Sequence, residues 1–295
     1  MMTTIAAHLD TFLDDMQYRR KLRPNTLRAY RYDLQLAAIA MPMDLDTITI
    51  QHVENWLYNE DASIATSNRR AASLSRFFTW AIRHGICPID PTQGRERSAP
   101  PHRLPIPIRR KTERDHLDAA IRILAQPYRL IFTILRETGM RASEVIRLNY
   151  QDVCLDPGRE GLHLREPKNG YDRIVILDPD ATPRTVRGLR SWVRTHPTGV
   201  GHEPLFRSNR QTRISYRALY YQWQILCTNA GLTNAQGQPQ YTIHQLRHTR
   251  ATELIERGHR LEIVQRILGH RDPRSTQAYA EISDSVVRQA LAKQQ

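Results

Sequence analysis

The chain reads Thr242-Ile-His-Gln-Leu-Arg-His-Thr249 at the start of a predicted helix, and the first turns of that helix carry three basic side chains. A threonine followed three residues later by a glutamine is typical of a capping box, which begins a helix. His244 and Arg247 are three residues apart, so they share one helix face. Because a helix N-terminus presents free backbone N–H groups, the stretch predicts an anion site.

A second group of polar signals follows this helix. Gly269 is typical of a helix end, and His270 comes directly after it. Asp272-Pro273 fits the N-cap and first position of another short helix, which carries Tyr279. His270 and Tyr279 are therefore expected on opposite sides of one turn.

Signals of the same kind lie upstream. Gly139 suits the left-handed position that ends a helix, and Arg141 then stands in a tight turn before a second helix. Farther along, Asn169-Gly170 is a strong β-hairpin signal, and Lys168 is expected at the hairpin tip. The two flanking strands are predicted over residues 161–165 and 172–177.

The pattern of the whole chain predicts two domains, which 295 residues are enough to form. Residues 91–111 are rich in proline and charge without helical periodicity, as a linker would be. Residues 1–90 predict a four-helix domain and residues 112–295 an α+β domain, so the expected fold is mainly α with a small β-sheet. The predicted helices span residues 3–18, 24–40, 50–58, 65–84, 113–125, 128–138, 185–194, 215–229, 243–257, 261–268 and 273–280.

Charge indicates a polyanionic partner. The formal net charge is +13, with +1 on residues 1–98 (12 basic, 11 acidic) and +12 on residues 99–295 (31 basic, 19 acidic). Nearly all the basic residues are arginine, whose planar fork grips phosphate oxygens. Arg69, Arg76 and Arg83 recur every seven residues on one helix face. This stripe predicts either a DNA-backbone contact or a solvated surface.

The three cysteines are isolated from one another and predict neither a disulfide framework nor a cysteine zinc site. No signal-like N-terminus and no apolar run of membrane-spanning length occurs in the sequence. The expected location is therefore the cytoplasm, in association with the nucleoid.

Together these motifs resemble the tyrosine recombinases, the phage integrase family. The strings are Thr138-Gly-Met-Arg-Ala-Ser-Glu144, His244-Gln-Leu-Arg-His-Thr249, Leu268-Gly-His270 and, nine residues after that histidine, Tyr279. The resemblance covers residues 112–281 by motif, and the helical region before the linker resembles the family's core-binding domain by layout. The sequence departs from the family at Met140 and Ala142, where bulkier aliphatic residues are more frequent.

The resemblance implies a metal-independent and ATP-independent DNA strand transferase with no cofactor. Arg141 and Arg247 would bind the non-bridging oxygens of the scissile phosphate. Tyr279 would attack phosphorus to form a 3′-phosphotyrosine. His244 is the implied base, because an unperturbed phenol with a pKa of about 10 is protonated at neutral pH.

The family pattern also implies supporting roles. Lys168 would protonate the leaving 5′-oxygen, His270 would hydrogen-bond the phosphate, and Glu144 would orient Arg141 or a histidine. The position of His248 is more often structural in the family.

The implied partner is a double-stranded recombination site, bound by two protomers per site and by a homotetramer across two duplexes through a Holliday junction. Ser283 predicts the cap of a tail helix with an apolar stripe formed by Ile282, Val286 and Leu291. This tail is expected to dock on a neighbouring protomer, with packing on its own domain as the alternative. The biological task, whether integration, excision or dimer resolution, is left open.

Other classes of function compete with this interpretation. A non-catalytic DNA-binding protein would share the basic charge, and a topoisomerase or telomere resolvase would share the catalytic fold. His244 and His248 are four residues apart, a spacing that can bind zinc, but Arg247 beside them would repel the metal.

Overall fold

The N-terminal part of the chain folds into helices that begin where the sequence supplies caps. The computed structural model describes residues 3–58, 62–95, 106–165, 172–196 and 201–269. In its first two ranges the α-helices are α1 (Ile5–Tyr18), α2 (Pro24–Ala40), α3 (Ile50–Leu57) and α4 (Ile64–Arg83). Side chains of Thr4, Thr49 and Ser63 each accept a backbone N–H, which satisfies donors that the first turn leaves open. Helix α1 begins two residues later than predicted and α4 one residue earlier, each directly after its cap.

Aromatic side chains fill the core of this helical unit. Phe12 of α1 meets Phe77 and Trp80 of α4 edge-on, with ring centroids 5.5 Å apart in each pair. All three side chains are buried. Edge-to-face pairs of this kind add about 0.5–1.5 kcal/mol beyond the burial of apolar area.

The three arginines of the stripe on α4 have different surroundings. Arg69 donates to Asp33 of α2, a fully buried carboxylate that also accepts the Ser73 hydroxyl at 2.8 Å. A buried carboxylate without a partner costs several kcal/mol, so Arg69 serves the packing of α4 on α2. The sequence did not predict this pairing, and because the Arg69 side chain is still 44% exposed, its contact with the DNA backbone stays a prediction. Arg76 and Arg83 instead line an open cavity of about 270 Å³.

The C-terminal part of the chain builds a second, larger core. Its described α-helices are α5 (Lys111–Ile123), α6 (Tyr128–Thr138), α7 (Ala142–Val145), α8 (Pro183–Thr195), α9 (Tyr216–Asn229), α10 (Ile243–Glu256) and α11 (Leu261–Leu268). Helix α6 is central, since every residue from Leu130 to Thr138 is buried. Phe132 on it packs against Trp223 of α9, whose indole N–H donates to the Tyr241 carbonyl at 2.7 Å.

A three-stranded antiparallel sheet belongs to this second core. Its described strands are β1 (Val153–Cys154), β2 (Gly161–Leu164) and β3 (Arg173–Ile176), in the order β1-β2-β3. Leu164 pairs with Arg173, so the predicted hairpin pairing is confirmed, with strands slightly shorter than expected. Strand β1 was not predicted, because two residues are too few to show a period. Lys168 and Asn169-Gly170 lie outside the described residues.

The contact pattern divides the chain into Met1–His102 and Arg103–Gln295. Ile108, which falls within the predicted linker, is fully buried in the second unit. Its backbone N–H donates to the Thr249 hydroxyl at 2.9 Å. The end of the linker segment therefore belongs to the core of the second unit.

The mainly helical fold with a small sheet agrees with the sequence prediction. None of the helices in the described ranges has both the length and the apolar composition to span a membrane.

Candidate active site

The turn that presents Arg141 is built around a glycine. Gly139 ends α6 with φ of +68°, in the left-handed region. The positive φ favours glycine, and a Cβ at this position would lie 2.6 Å from Leu268 Cδ2, so a larger residue would also have to displace that side chain. The chain then enters α7 with Arg141 as its N-cap residue. The Arg141 side chain remains 37% exposed, in reach of a ligand.

Arg247 is held at the centre of the site by two helix ends. Only 2% of this residue is exposed. Its Nη1 donates to the Gly139 carbonyl at 2.9 Å, and its Nη2 donates to the Leu268 carbonyl at 2.8 Å. Carbonyls at helix C-termini lack intrahelical partners and carry the negative end of the helix dipole. A guanidinium group supplies the missing hydrogen-bond donors and a positive charge. Arg247 thereby ties the Arg141 turn to the end of α11.

Glu144 holds both the backbone and the side chain of Arg141. Its Oε2 accepts the Arg141 backbone N–H at 2.8 Å, and its Oε1 accepts from Arg141 Nη1 at 2.9 Å. Burial alone would raise the pKa of Glu144, yet that pKa is lowered because Arg173 and Arg141 outweigh burial. Glu144 is therefore ionised at neutral pH.

Two histidines stand on consecutive turns of α10. The rings of His244 and His248 are perpendicular, with centroids 4.6 Å apart. The pKa of His244 is lowered, first by desolvation and then by the nearby Arg247 and Arg141. The imidazole of His244 is thus neutral at pH 7 and can accept a proton. His244 and Arg247 lie on the same helix, and Arg247 binds the turn that presents Arg141, so these three residues form one site.

The pKa of His248 is lowered to about 4, mainly by burial and then by His244 and Arg247. The unfolded chain, with an ordinary histidine pKa of 6.5, binds a proton first on acidification. The free energy of unfolding should therefore fall as the pH drops from 6.5 towards about 4. Urea unfolding at pH 7.5 and pH 5 should show this fall, and His248→Asn should reduce it. An equal pH dependence in both proteins would contradict the effect.

The structure brings Arg141, Glu144, His244 and Arg247 together. Lys168, His270 and Tyr279 lie outside the described residues, as does the predicted tail helix. Sequence reasoning missed Arg173, whose Nη2 lies 3.0 Å from Glu144 Oε2. Its only sequence signal is a charged residue at the start of the apolar strand Arg173–Ile176.

Within the described ranges, no group of three or more His, Cys, Asp or Glu side chains is arranged to hold a metal ion. A structural zinc site normally takes four ligands and a catalytic one three. The pair His244 and His248 therefore gains no third ligand among those residues.

Two family profiles match the chain. The profile described as phage integrase family matches residues 110–285. The profile described as phage integrase, N-terminal SAM-like domain, matches residues 9–85.

Relatives and solved structures agree with these profiles. The tyrosine recombinase XerC of Pseudomonas syringae pv. syringae (strain B728a) is 29% identical over 288 residues, covering 93% of this chain and 91% of XerC. A lambda integrase (75–356) dimer bound to a COC′ core site aligns with a TM-score of 0.73 at 20% identity, over 94% of this chain and 95% of the integrase. A lambda integrase tetramer bound to a Holliday junction aligns with a TM-score of 0.70 at 19% identity, over 92% of this chain and 78% of the integrase chain. At these identities the structural likeness establishes the fold.

Proposed function

Because the chain belongs to the phage integrase family and is a tyrosine-type site-specific DNA recombinase, we propose that it cleaves DNA through attack of Tyr279 on the scissile phosphate. The phenolic oxygen of Tyr279 bonds to phosphorus as the bond to the 5′-oxygen breaks. The product is a 3′-phosphotyrosine, and the free 5′-hydroxyl of a second strand reverses the attack. The energy of the phosphoester bond is conserved, so the proposed reaction needs no ATP.

The observation that carries this proposal is the meeting of Arg141 and Arg247 from segments about a hundred residues apart. Arg247 is held by the Gly139 carbonyl, two residues before Arg141. Two fixed guanidinium groups would stabilise the charge that develops on the phosphate oxygens in the transition state. In the proposed mechanism they supply the positive charge that metal ions supply in other phosphoryl-transfer enzymes.

Proton transfer is assigned to neighbouring groups. A neutral His244 beside the phosphate site could accept the Tyr279 proton, in keeping with the lowered pKa of His244. We assign protonation of the leaving 5′-oxygen to Lys168 and a hydrogen bond with the phosphate to His270, as the family motifs imply.

We assign DNA binding to both units. The second unit would make most phosphate contacts, since residues 99–295 carry the charge excess. In the first unit, Arg76 and Arg83 line their cavity together with Arg19 and Arg20, which suits a phosphate backbone. Residues 1–90 would act as the core-binding domain and residues 112–295 as the catalytic domain.

The proposed assembly is a homotetramer on two duplexes, with two protomers at each site. It is supported by fold likeness to the integrase tetramer on a Holliday junction. The tail after Ser283 is proposed to dock on a neighbouring protomer, which would close a ring and couple the four active sites.

A strand-exchange assay tests this function. DNA fragments bound by the protein are first selected from genomic DNA, and two copies of the selected site are placed on one plasmid. The protein should then produce recombinant circles in excess EDTA and without ATP. Loss of product on chelation, with recovery on metal addition, would contradict the proposed chemistry.

The same assay separates the competing functions. A non-catalytic DNA-binding protein would retard the site in a gel and leave the plasmid intact. A topoisomerase would relax supercoils without exchanging strands, and a telomere resolvase would produce hairpin ends.

A further inference from the structure

Glu144, the carboxylate that holds Arg141, also accepts a hydrogen bond from a second arginine, Arg173. Arg173 is the first residue of β3, opposite Leu164 of β2. Its Nη2 donates to Glu144 Oε2 at 3.0 Å, and its side chain is only 19% exposed. The contact joins the sheet to the turn that presents Arg141.

Both oxygens of Glu144 are thereby occupied. Oε1 accepts from the Arg141 guanidinium, while Oε2 accepts from the Arg141 backbone and from Arg173. A carboxylate shared by two guanidinium groups leaves the trio with a net charge of +1. If Arg173 were removed, Glu144 would neutralise Arg141 alone, and a neutralised pair attracts a phosphate far less than a free cation does.

The other side of Arg173 packs on a second turn of the site. Gly269 ends α11 with φ of +69°, and a Cβ there would lie 2.6 Å from Arg173 Cζ. Gly269 follows Leu268, whose carbonyl accepts from Arg247. Arg173 therefore lies between Glu144, which pairs with Arg141, and the turn at Gly269, which follows the carbonyl that accepts from Arg247.

We propose that Arg173 is a positioning residue for strand cleavage, acting through Glu144 to fix Arg141 and to leave its positive charge for the scissile phosphate. This inference rests on the proposed function. Arg173 contacts Glu144 and Gly269, so the role assigned to it does not require contact with DNA.

The test compares Arg173→Gln and Arg173→Lys with the wild type on a nicked suicide substrate under single-turnover conditions. Arg173→Gln should slow covalent adduct formation about ten- to a hundred-fold, the range seen when groups that orient a reactive centre are lost. DNA affinity should change by less than about three-fold, because the phosphate contacts of the ground state are many. Arg173→Lys keeps the charge near Glu144 and should recover part of the rate.

Arg165→Gln is the matched control. Arg165 directly follows β2 and pairs with Asp152, with Nε to Oδ1 at 2.8 Å, so this variant also removes an arginine–carboxylate pair beside the sheet. It should cleave at the wild-type rate.

A double mutant separates positioning from general destabilisation. Once Glu144→Gln has removed the negative charge, Arg173 has nothing to neutralise, so adding Arg173→Gln should slow cleavage little further. This comparison between two variants remains valid if Arg173→Gln alone folds poorly.

Three results would overturn the proposal. They are a wild-type cleavage rate for Arg173→Gln, a loss of DNA affinity parallel to the loss of rate, and full multiplication of the two mutational effects in the double mutant. A wild-type protein that forms no adduct at all would reject the proposed function itself, together with this inference.

Discussion

Replacing Arg247 with lysine should slow strand cleavage roughly a thousand-fold, the loss expected when a fixed donor to a developing oxyanion is removed. The planar fork of Arg247 donates from two nitrogens at once, to the carbonyls of Gly139 and Leu268, which fixes the guanidinium beside the turn that presents Arg141. A lysine ammonium is a compact charge that cannot reproduce this geometry. The melting temperature should fall as well, because two buried carbonyls lose their donors.

Arg250→Lys is the matched control for this change. Arg250 lies three residues later on α10, is similarly buried at 7% exposed, and its Nε makes no hydrogen bond with the described part of the chain. Its replacement should affect stability while leaving the cleavage rate of the folded protein near wild type. Equal cleavage rates for the two variants would show that Arg247 has no special part in the reaction.

Tyr279→Phe should abolish the covalent adduct, with a loss of at least about 10⁴-fold in cleavage, as expected when a nucleophile that acts together with its base is removed. The change removes one hydroxyl, so affinity for the site should stay close to that of the wild type. Gel retardation and adduct formation on the same suicide substrate measure the two quantities.

Tyr241→Phe provides the comparison, since it removes a hydroxyl from a tyrosine close to α10. The Tyr241 hydroxyl donates to Glu113 Oε2 at 3.0 Å, and its pKa is raised by burial and by that carboxylate. A raised pKa makes Tyr241 a poor nucleophile, so Tyr241→Phe should retain the adduct. A Tyr279→Phe protein that still formed the adduct would require another nucleophile.

Local signals made much of this fold predictable. The capping box at Thr242 and Gln245 begins α10 as expected, and Gly139 and Gly269 end their helices in the left-handed conformation. Each of these helix ends depends on a few adjacent residues, so the local sequence is enough to predict it. The shared face of His244 and Arg247 follows from helical geometry in the same way.

Long-range contacts account for what the sequence did not reveal. The pairing of Arg69 with Asp33 spans 36 residues, and that of Arg173 with Glu144 spans 29. No local rule tells an arginine that neutralises a buried carboxylate from one that meets solvent or DNA. The backbone N–H of Ile108 likewise donates to Thr249, 141 residues away. Partners in distant segments set the role of each of these residues.

Mapping the residue that carries DNA tests the central claim most directly. The wild-type protein is trapped on a nicked suicide substrate, digested with protease and nuclease, and the phosphonucleotide-bearing peptide is sequenced by mass spectrometry. The proposed chemistry predicts the modification on Tyr279, joined to the 3′-phosphate of the cleaved strand. Modification of Tyr241 or any other residue, or a 5′-phosphate linkage, would contradict it.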